Sequence, residues 1–212
     1  MGSFDIESTV GDRSAAGDRL ARQVAFILEI DKAKSVIRRS RILDGSRREN
    51  DAEHSWHLAV MALVLSEYAN EPVDLGKVIK MLLVHDIVEI DAGDTFAYDG
   101  AGYDDKNERE QRAADRIFGL LPEDQRDEFR ALWEEFEARK TPEAKFAAAL
   151  DRLQPMMLNF FTEGSTWREY DIPKDRVIGF NQHMGEGSSR LWAFARGLVD
   201  LAVERGYLRD RC

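Results

Sequence analysis

The dipeptide His85-Asp86 falls in the run Val-Ile-Lys-Met-Leu-Leu-Val-His-Asp-Ile-Val-Glu-Ile, where an imidazole and a carboxylate interrupt an apolar segment with helical spacing. A carboxylate in such surroundings is costly unless a cation pairs it. A divalent metal does so, and histidine with aspartate is a usual mixed ligand set. A mononuclear hydrolytic centre needs three or four protein ligands and a position open to water. The chain holds four histidines, His54, His57, His85 and His183. His54, His85 and Asp86 can supply three ligands. Asp151 is the best candidate for a fourth, because it too interrupts an apolar helical stretch, Phe-Ala-Ala-Ala-Leu-Asp-Arg-Leu. His57, one turn beyond His54, reads as structural, and nothing marks His183 as a ligand.

These residues need helices to position them, and nearly every segment from Arg19 onward has a helical pattern. Leu20, Val24, Ile27 and Leu28 make one apolar face. A second helix is expected from Asp51, read as its N-cap, to about Tyr68, with Trp56, Ala59, Val60, Leu63 and Val64 as its buried stripe. A third starts near Asp74 and carries Val78, Ile79, Leu82, Leu83 and the His-Asp pair. Residues 91–106 are rich in glycine and aspartate and read as a loop of the length that often carries function. Helices are expected again over 107–120 and 123–139. Thr141-Pro142-Glu143 starts another, which contains Leu150, Asp151, Leu153 and a kinking Pro155. One or two more fill 174–206, with a break at Gly185 and Gly187. Alternating β-patterns are almost absent. The expectation is an all-α, single helical-bundle domain over residues 18–212, preceded by a loose tail over 1–17.

Composition narrows the partners. The chain has 212 residues, 43% hydrophobic and 33% charged, with a net charge of -10 and a pI of about 5.0. An acidic protein of this kind suits neither a nucleic acid polymer nor an anionic membrane as its main partner. No apolar stretch reaches the ~18 residues of a membrane span. The first residues lack the basic and apolar regions of a signal peptide, and the one cysteine is Cys212, so a cytoplasmic location is expected. Against this background residues 32–48 stand out. They hold Lys32, Lys34, Arg38, Arg39, Arg41, Arg47 and Arg48 against the single acid Asp44. Such a segment attracts anions, and arginine grips phosphate with a bidentate fork.

The order His54, His85-Asp86, Asp151 resembles the signature of the HD superfamily of metal-dependent phosphohydrolases. The flanking sequences Glu53-His54-Ser55 and His85-Asp86-Ile87-Val88-Glu89, followed by Gly93-Asp94, are similar to the branch that holds the bacterial 5′-deoxynucleotidases and HD domain-containing protein 2. The likeness spans roughly residues 20–160. It implies an HD-domain helical bundle with one divalent cation (cobalt, manganese, magnesium, zinc, nickel or iron) held by His54, His85, Asp86 and Asp151. It implies that Glu89, one turn after Asp86, handles protons at the water or the leaving oxygen. Asp94 and Thr95 would touch the substrate's sugar, and Arg39 would orient its phosphate. The implied substrate is a nucleoside 5′-monophosphate, deoxy or ribo, and the implied assembly a homodimer. The branch follows its arginine with tryptophan, whereas this chain has Ser40, which leaves the choice of sugar open. The same site would serve a nucleoside triphosphate hydrolase or a phosphodiesterase. A nucleotide-sensing or scaffold module would keep the ligands without turnover. Two-metal and di-iron members use additional histidines, and only His57 and His183 remain here.

Overall fold

The computed structural model describes residues 15–99 and 104–211. Most of the tail expected over 1–17 lies outside the described residues, and the first helix begins at Ala15, within the last part of that stretch. The helices are α1 (Ala15–Ile30), α2 (Asp51–Leu65), α3 (Leu75–Val84), α4 (Glu89–Ala92), α5 (Lys106–Phe118), α6 (Glu123–Ala138), α7 (Pro142–Phe161), α8 (Ser165–Glu169), α9 (Lys174–Asn181), α10 (Met184–Gly187) and α11 (Ser189–Glu204). The bundle is helical as expected. Between α1 and α2 it adds a small antiparallel hairpin, β1 (Ile37–Arg41) and β2 (Arg48–Asn50), pairing Ile37 with Asn50 and Arg41 with Arg48. Its turn closes through Gly45 at φ +72°, a conformation that glycine adopts without steric cost.

Helix α7 is the axis of the main core. Phe146, Ala147, Leu150 and Leu153 are buried along it, against Leu58 and Ala62 of α2, Val78, Met81 and Leu82 of α3, and Leu191, Ala195 and Val199 of α11. Thr141 caps α7, its side chain accepting from the Ala144 amide, and Pro142 opens the first turn. The helix runs on past Pro155 to Phe161. Where α7 meets α10 the backbones touch closely. A Cβ on Gly187 would fall 2.1 Å from the Lys145 carbonyl oxygen, so only glycine fits there. The stretch 174–206 therefore holds three helices. A second apolar cluster joins Phe26, Ala113, Ile117, Phe118 and Trp133 to Val84 and Val88. The His85-Asp86 pair lies between the two clusters, with Leu82 in one and Val84 and Val88 in the other.

Three expectations, two from periodicity and one from capping, are corrected. The α2 stripe of Trp56, Val60, Leu63 and Val64 faces outward, with Trp56 65% exposed, while His54, Leu58, Met61 and Ala62 face in. The helix is apolar nearly all round, so spacing alone does not choose its inner face. On α1, Leu20, Ile27 and Leu28 are exposed. That helix docks instead through Phe26, edge-on to Phe129, and through Arg22, which donates to the carbonyls of Gly119 and Leu120. Finally, Asn50 rather than Asp51 is the cap of α2. The Asn50 side chain accepts from the Glu53 amide at 3.0 Å while the Glu53 carboxylate accepts from the Asn50 amide at 3.3 Å. Asp51 is thereby released to turn inward.

Candidate metal centre

Three segments bring the sequence-predicted ligands together. His54 lies in the second turn of α2. Helix α3 stops at Val84, so His85 caps it and Asp86 begins the turn that follows, instead of both lying inside the helix. Asp151 projects from the middle of α7. All four residues are buried. His54 Nε2 is 3.0 Å from Asp151 Oδ1 and 3.7 Å from Asp86 Oδ2. His85 Nε2 is 3.1 Å from Asp86 Oδ2 and 3.7 Å from Asp151 Oδ1. Donor atoms about 2.0–2.2 Å from one ion stand roughly 3.0–3.5 Å apart, so the 3.0 and 3.1 Å separations fit a single divalent cation and the 3.7 Å ones lie just outside that range. His85 Nε2 supplies a further sign, because it is buried and faces the carboxylates of Asp86 and Asp151.

The outer hydrogen bonds fix both imidazoles. His85 Nδ1 is 2.9 Å from the Leu82 carbonyl, which can only accept, so Nδ1 carries a proton and Nε2 faces the centre. His54 is fixed through a longer chain. Gln154 Nε2 donates to Glu49 Oε1 at 2.6 Å, which turns Gln154 Oε1 toward His54 Nδ1 at 3.1 Å. An amide oxygen only accepts, so His54 Nδ1 donates and Nε2 keeps its lone pair for the ion. Glu49 Oε2 is 3.6 Å from the same Nδ1 and is otherwise unpartnered. Nothing in the sequence pattern singles out Glu49 or Gln154. On Asp151, Arg152 takes Oδ2 through Nε at 3.0 Å and through Nη2, leaving Oδ1 to the histidines.

The charges of the site call for a cation. Burial disfavours a charged imidazole at His85, but Asp86 and Asp151 outweigh it and push the group up to about 10. Without an ion, a proton takes the cation's place. Burial also works against charge on Asp151, yet Arg152, His54 and His85 hold it well below the usual carboxylate range.

Beside the ligand set stands Arg38, which the sequence offered only as one of a basic run. Its Nη1 lies 2.7 Å from Asp86 Oδ2, 3.1 Å from Asp51 Oδ1 and 3.8 Å from Glu89 Oε2. Strand β1 alternates, so Arg38 and Ser40 are buried while Arg39 turns to the rim. There Arg39 donates to the Tyr170 hydroxyl at 3.0 Å. Glu89 opens α4 and is buried. Burial, then Asp86, push it well above the ordinary carboxylate value despite Arg38. Asp94 is pushed up by burial too. Thr95 Oγ1 accepts from Arg109 at 3.4 Å.

Arg38, Arg39, Glu89, Asp94 and Thr95 all line one cavity with His85, Asp86 and Asp151, of about 130 Å³. The indole of Trp167 lines it as well. It arrives on α8, which is tied to β1 by a bond from Thr166 Oγ1 to the Arg39 carbonyl at 3.1 Å. Trp167 and Ser40 thus line the same cavity.

Two imidazoles and two carboxylates converging inside a helical bundle, with arginines over them, define a metal-dependent phosphohydrolase. The sequence family described as HD domain matches residues 30–192, and the chain belongs to that family. It is 30% identical over 151 residues to the human 5′-deoxynucleotidase HDDC2, a match that covers 71% of this chain and 72% of that one. The 5′-deoxynucleotidase hdd1 of Schizosaccharomyces pombe is 24% identical over 189 residues, 82% and 93% of the two chains. Among solved structures, a predicted metal-dependent phosphohydrolase from Magnetospirillum magnetotacticum MS-1 is 56% identical, with a TM-score of 0.89 over 92% of this chain and 98% of that one. The PH0347 protein of Pyrococcus horikoshii OT3, at 19% identity and a TM-score of 0.58, shares the fold.

Proposed function

We propose that the protein is a 5′-nucleotidase that releases inorganic phosphate from nucleoside or deoxynucleoside 5′-monophosphates. One observation carries this reading: His85, Asp86 and Asp151, the buried acid Glu89 and two arginines share a cavity of about 130 Å³. That is below the roughly 300–1,000 Å³ of sites that enclose a whole small molecule, so it suits a phosphoryl group with the nucleoside toward its mouth. The names of the human and fission-yeast relatives support the same substrate class.

His54, His85, Asp86 and Asp151 would hold the ion. The ion would polarise the phosphoryl oxygens and lower the pKa of a water it binds, providing a nucleophile near neutral pH. Arg39 binds the phosphate from the rim. Arg38 keeps Asp86 ionised and in place. Glu89, pushed well above the ordinary carboxylate value by burial and Asp86, delivers a proton to the departing sugar oxygen. Asp94 and Thr95 bind the sugar. The working assembly is a homodimer, supported by the exposed stripe Trp56, Val60, Leu63 and Val64, which a second copy would cover. A reducing, cytoplasmic location agrees with a chain whose one cysteine is Cys212.

The test is phosphate release from a panel of ribo- and deoxynucleoside 5′-monophosphates with cobalt, manganese or magnesium. Release from monophosphates, lost in Asp86→Asn and slowed at least about 100-fold in Glu89→Gln, is expected. Pyrophosphate or triphosphate as product, or tight binding without turnover, would overturn the reading.

A further inference from the structure

Next to the metal centre, through the wall formed by Arg152 and Phe136, lies a second and larger cavity of about 380 Å³. It shares Lys106, Glu137 and Asp151 with the first cavity, and adds Arg139, Phe180 and His183. Its positive groups come from separate elements: Lys106 from the start of α5, Arg139 from the end of α6, and Arg152 from α7. His183, just after α9, completes the ring. The acids that face them are Glu137 and Asp151. Asp151 is shared between Arg152 and the two histidines and Glu110 braces Lys106, so Glu137 is the remaining acid beside Arg139.

Two features mark this as a built arrangement. The first is the backbone of Arg139, which caps α6 at φ +48° and ψ +41°. Glycine or asparagine is the usual occupant of such a cap, and any other residue sits there at a steric cost. A basic residue earlier in the last turn would suit the helix dipole without that strain. The left-handed cap directs an arginine to this cavity. The second is how its neighbours are held. Arg152 is clamped between Asp151 and the face of Phe180, its Cζ 5.3 Å from the ring centre. Lys106 Nζ is braced by Glu110 at 2.6 Å, with only 22% of the lysine side chain exposed. Burial, with Arg139 and Arg152 close by, keeps His183 neutral, able to donate or accept. Cations held in fixed positions beside a phosphoryl-transfer centre are a site for a further tetrahedral anion.

We propose that this chamber is a second phosphate-binding site, which takes a phosphoryl dianion beside the metal centre. The anion has two sources, the inorganic phosphate released by the reaction or a second phosphate carried by the nucleotide. The chamber's ligand chemistry does not depend on which nucleotide is cleaved. Only the first source rests on the nucleotidase reading.

The experiment uses the full chain and separates the two. Inorganic phosphate is titrated by calorimetry into metal-free protein, in which the metal centre offers it no ion. Arg139→Asn is compared, since asparagine tolerates the left-handed cap, and Arg139→Glu serves as a charge reversal. Wild type should bind phosphate, Arg139→Asn should bind it at least about tenfold more weakly, and Arg139→Glu should not bind it measurably. Thermal melting of each variant, within a few degrees of wild type, shows that the chain is folded. With metal restored, nucleoside 3′,5′-bisphosphates and 5′-monophosphates are compared as inhibitors. A bisphosphate advantage that Arg139→Asn abolishes identifies the second phosphate of a nucleotide as the ligand. Phosphate binding without that advantage identifies the released product. If metal-free wild type and Arg139→Asn bind phosphate equally, or neither binds it, the proposal is overturned. Arg139-dependent phosphate binding by a protein that hydrolyses no nucleotide would leave the chamber standing and remove the nucleotidase reading.

Discussion

The substitution Glu49→Gln separates the outer shell of the metal centre from the fold that carries it. Glu49 is 3% exposed, and it reaches His54 only by way of Gln154 and a 3.6 Å approach of its second oxygen. A glutamine keeps the volume and the acceptor for Gln154 Nε2. What it removes is the negative charge behind an imidazole that must act as a ligand. Loss of an outer-shell partner of this kind lowers metal affinity by about 10- to 100-fold, or about 1.4–2.7 kcal/mol. The stability of the metal-free chain should move the other way or not at all. Glu49 Oε2 is a buried carboxylate oxygen without a hydrogen bond, and neutralising it relieves part of its desolvation. The expected signature is a weaker cobalt dissociation constant by calorimetry together with an unchanged or higher melting temperature of the metal-free protein. A cobalt constant within twofold of wild type would refute the argument that Glu49 and Gln154 set the tautomer and basicity of His54. A melting temperature that falls along with the affinity would show that Glu49 serves the fold instead.

Other perturbations follow from the same geometry. Arg38→Met strips the cation from Asp51, Asp86 and Glu89 and should cost about 3–5 kcal/mol in urea unfolding. Asp51 already titrates at about 7, a folded value raised by burial and by Asp86. A raised acid stabilises only while protonated, so the Arg38→Met deficit should grow as pH rises from 5 to 8; a flat deficit would contradict this. Leu58→Ala opens a cavity at a fully buried position one turn beyond His54 and should cost about 2–5 kcal/mol, read by the same unfolding curves. Metal-free His85 holds its proton up to about 10, so cobalt binding at pH 8 should expel about one proton from it. Calorimetry in buffers of different ionisation enthalpy measures that release, and enthalpies that do not vary with buffer would exclude it.

His85-Asp86 and Asp151 were legible as candidate ligands because they break apolar helical patterns, and a break in periodicity is visible without knowing the fold; His54 stood out only as one of four histidines. The cap of α7 at Thr141 was legible from its own local signal, a capping residue followed by proline. The inner arginine was not. Arg38 and Arg39 are neighbours of identical chemistry, and only the pleat of a five-residue strand sends one inward and the other to the rim. That strand is polar after Ile37, so it carries no alternation of hydrophobicity to betray it. Trp56 and Val60 misled for the opposite reason: α2 is apolar on both sides, and its inner face is chosen by α3 and α7. Glu49, Gln154 and Trp167 come from distant parts of the chain, and their roles exist only once α7 and α8 have packed against the hairpin.

The three segments that meet at the centre are far apart along the chain, with His54 and Asp151 separated by 97 residues. An ion bound there is therefore a cross-link between α2, the turn after α3, and α7, and it stitches the two apolar clusters across the His85-Asp86 turn. Its binding energy is folding energy, about 2.7 kcal/mol when free metal stands at 100 times the dissociation constant. In a cell this ties the lifetime of the protein to the metal supply. Scarcity would thin the enzyme by exposing loosened chains to proteases, in addition to silencing those that remain.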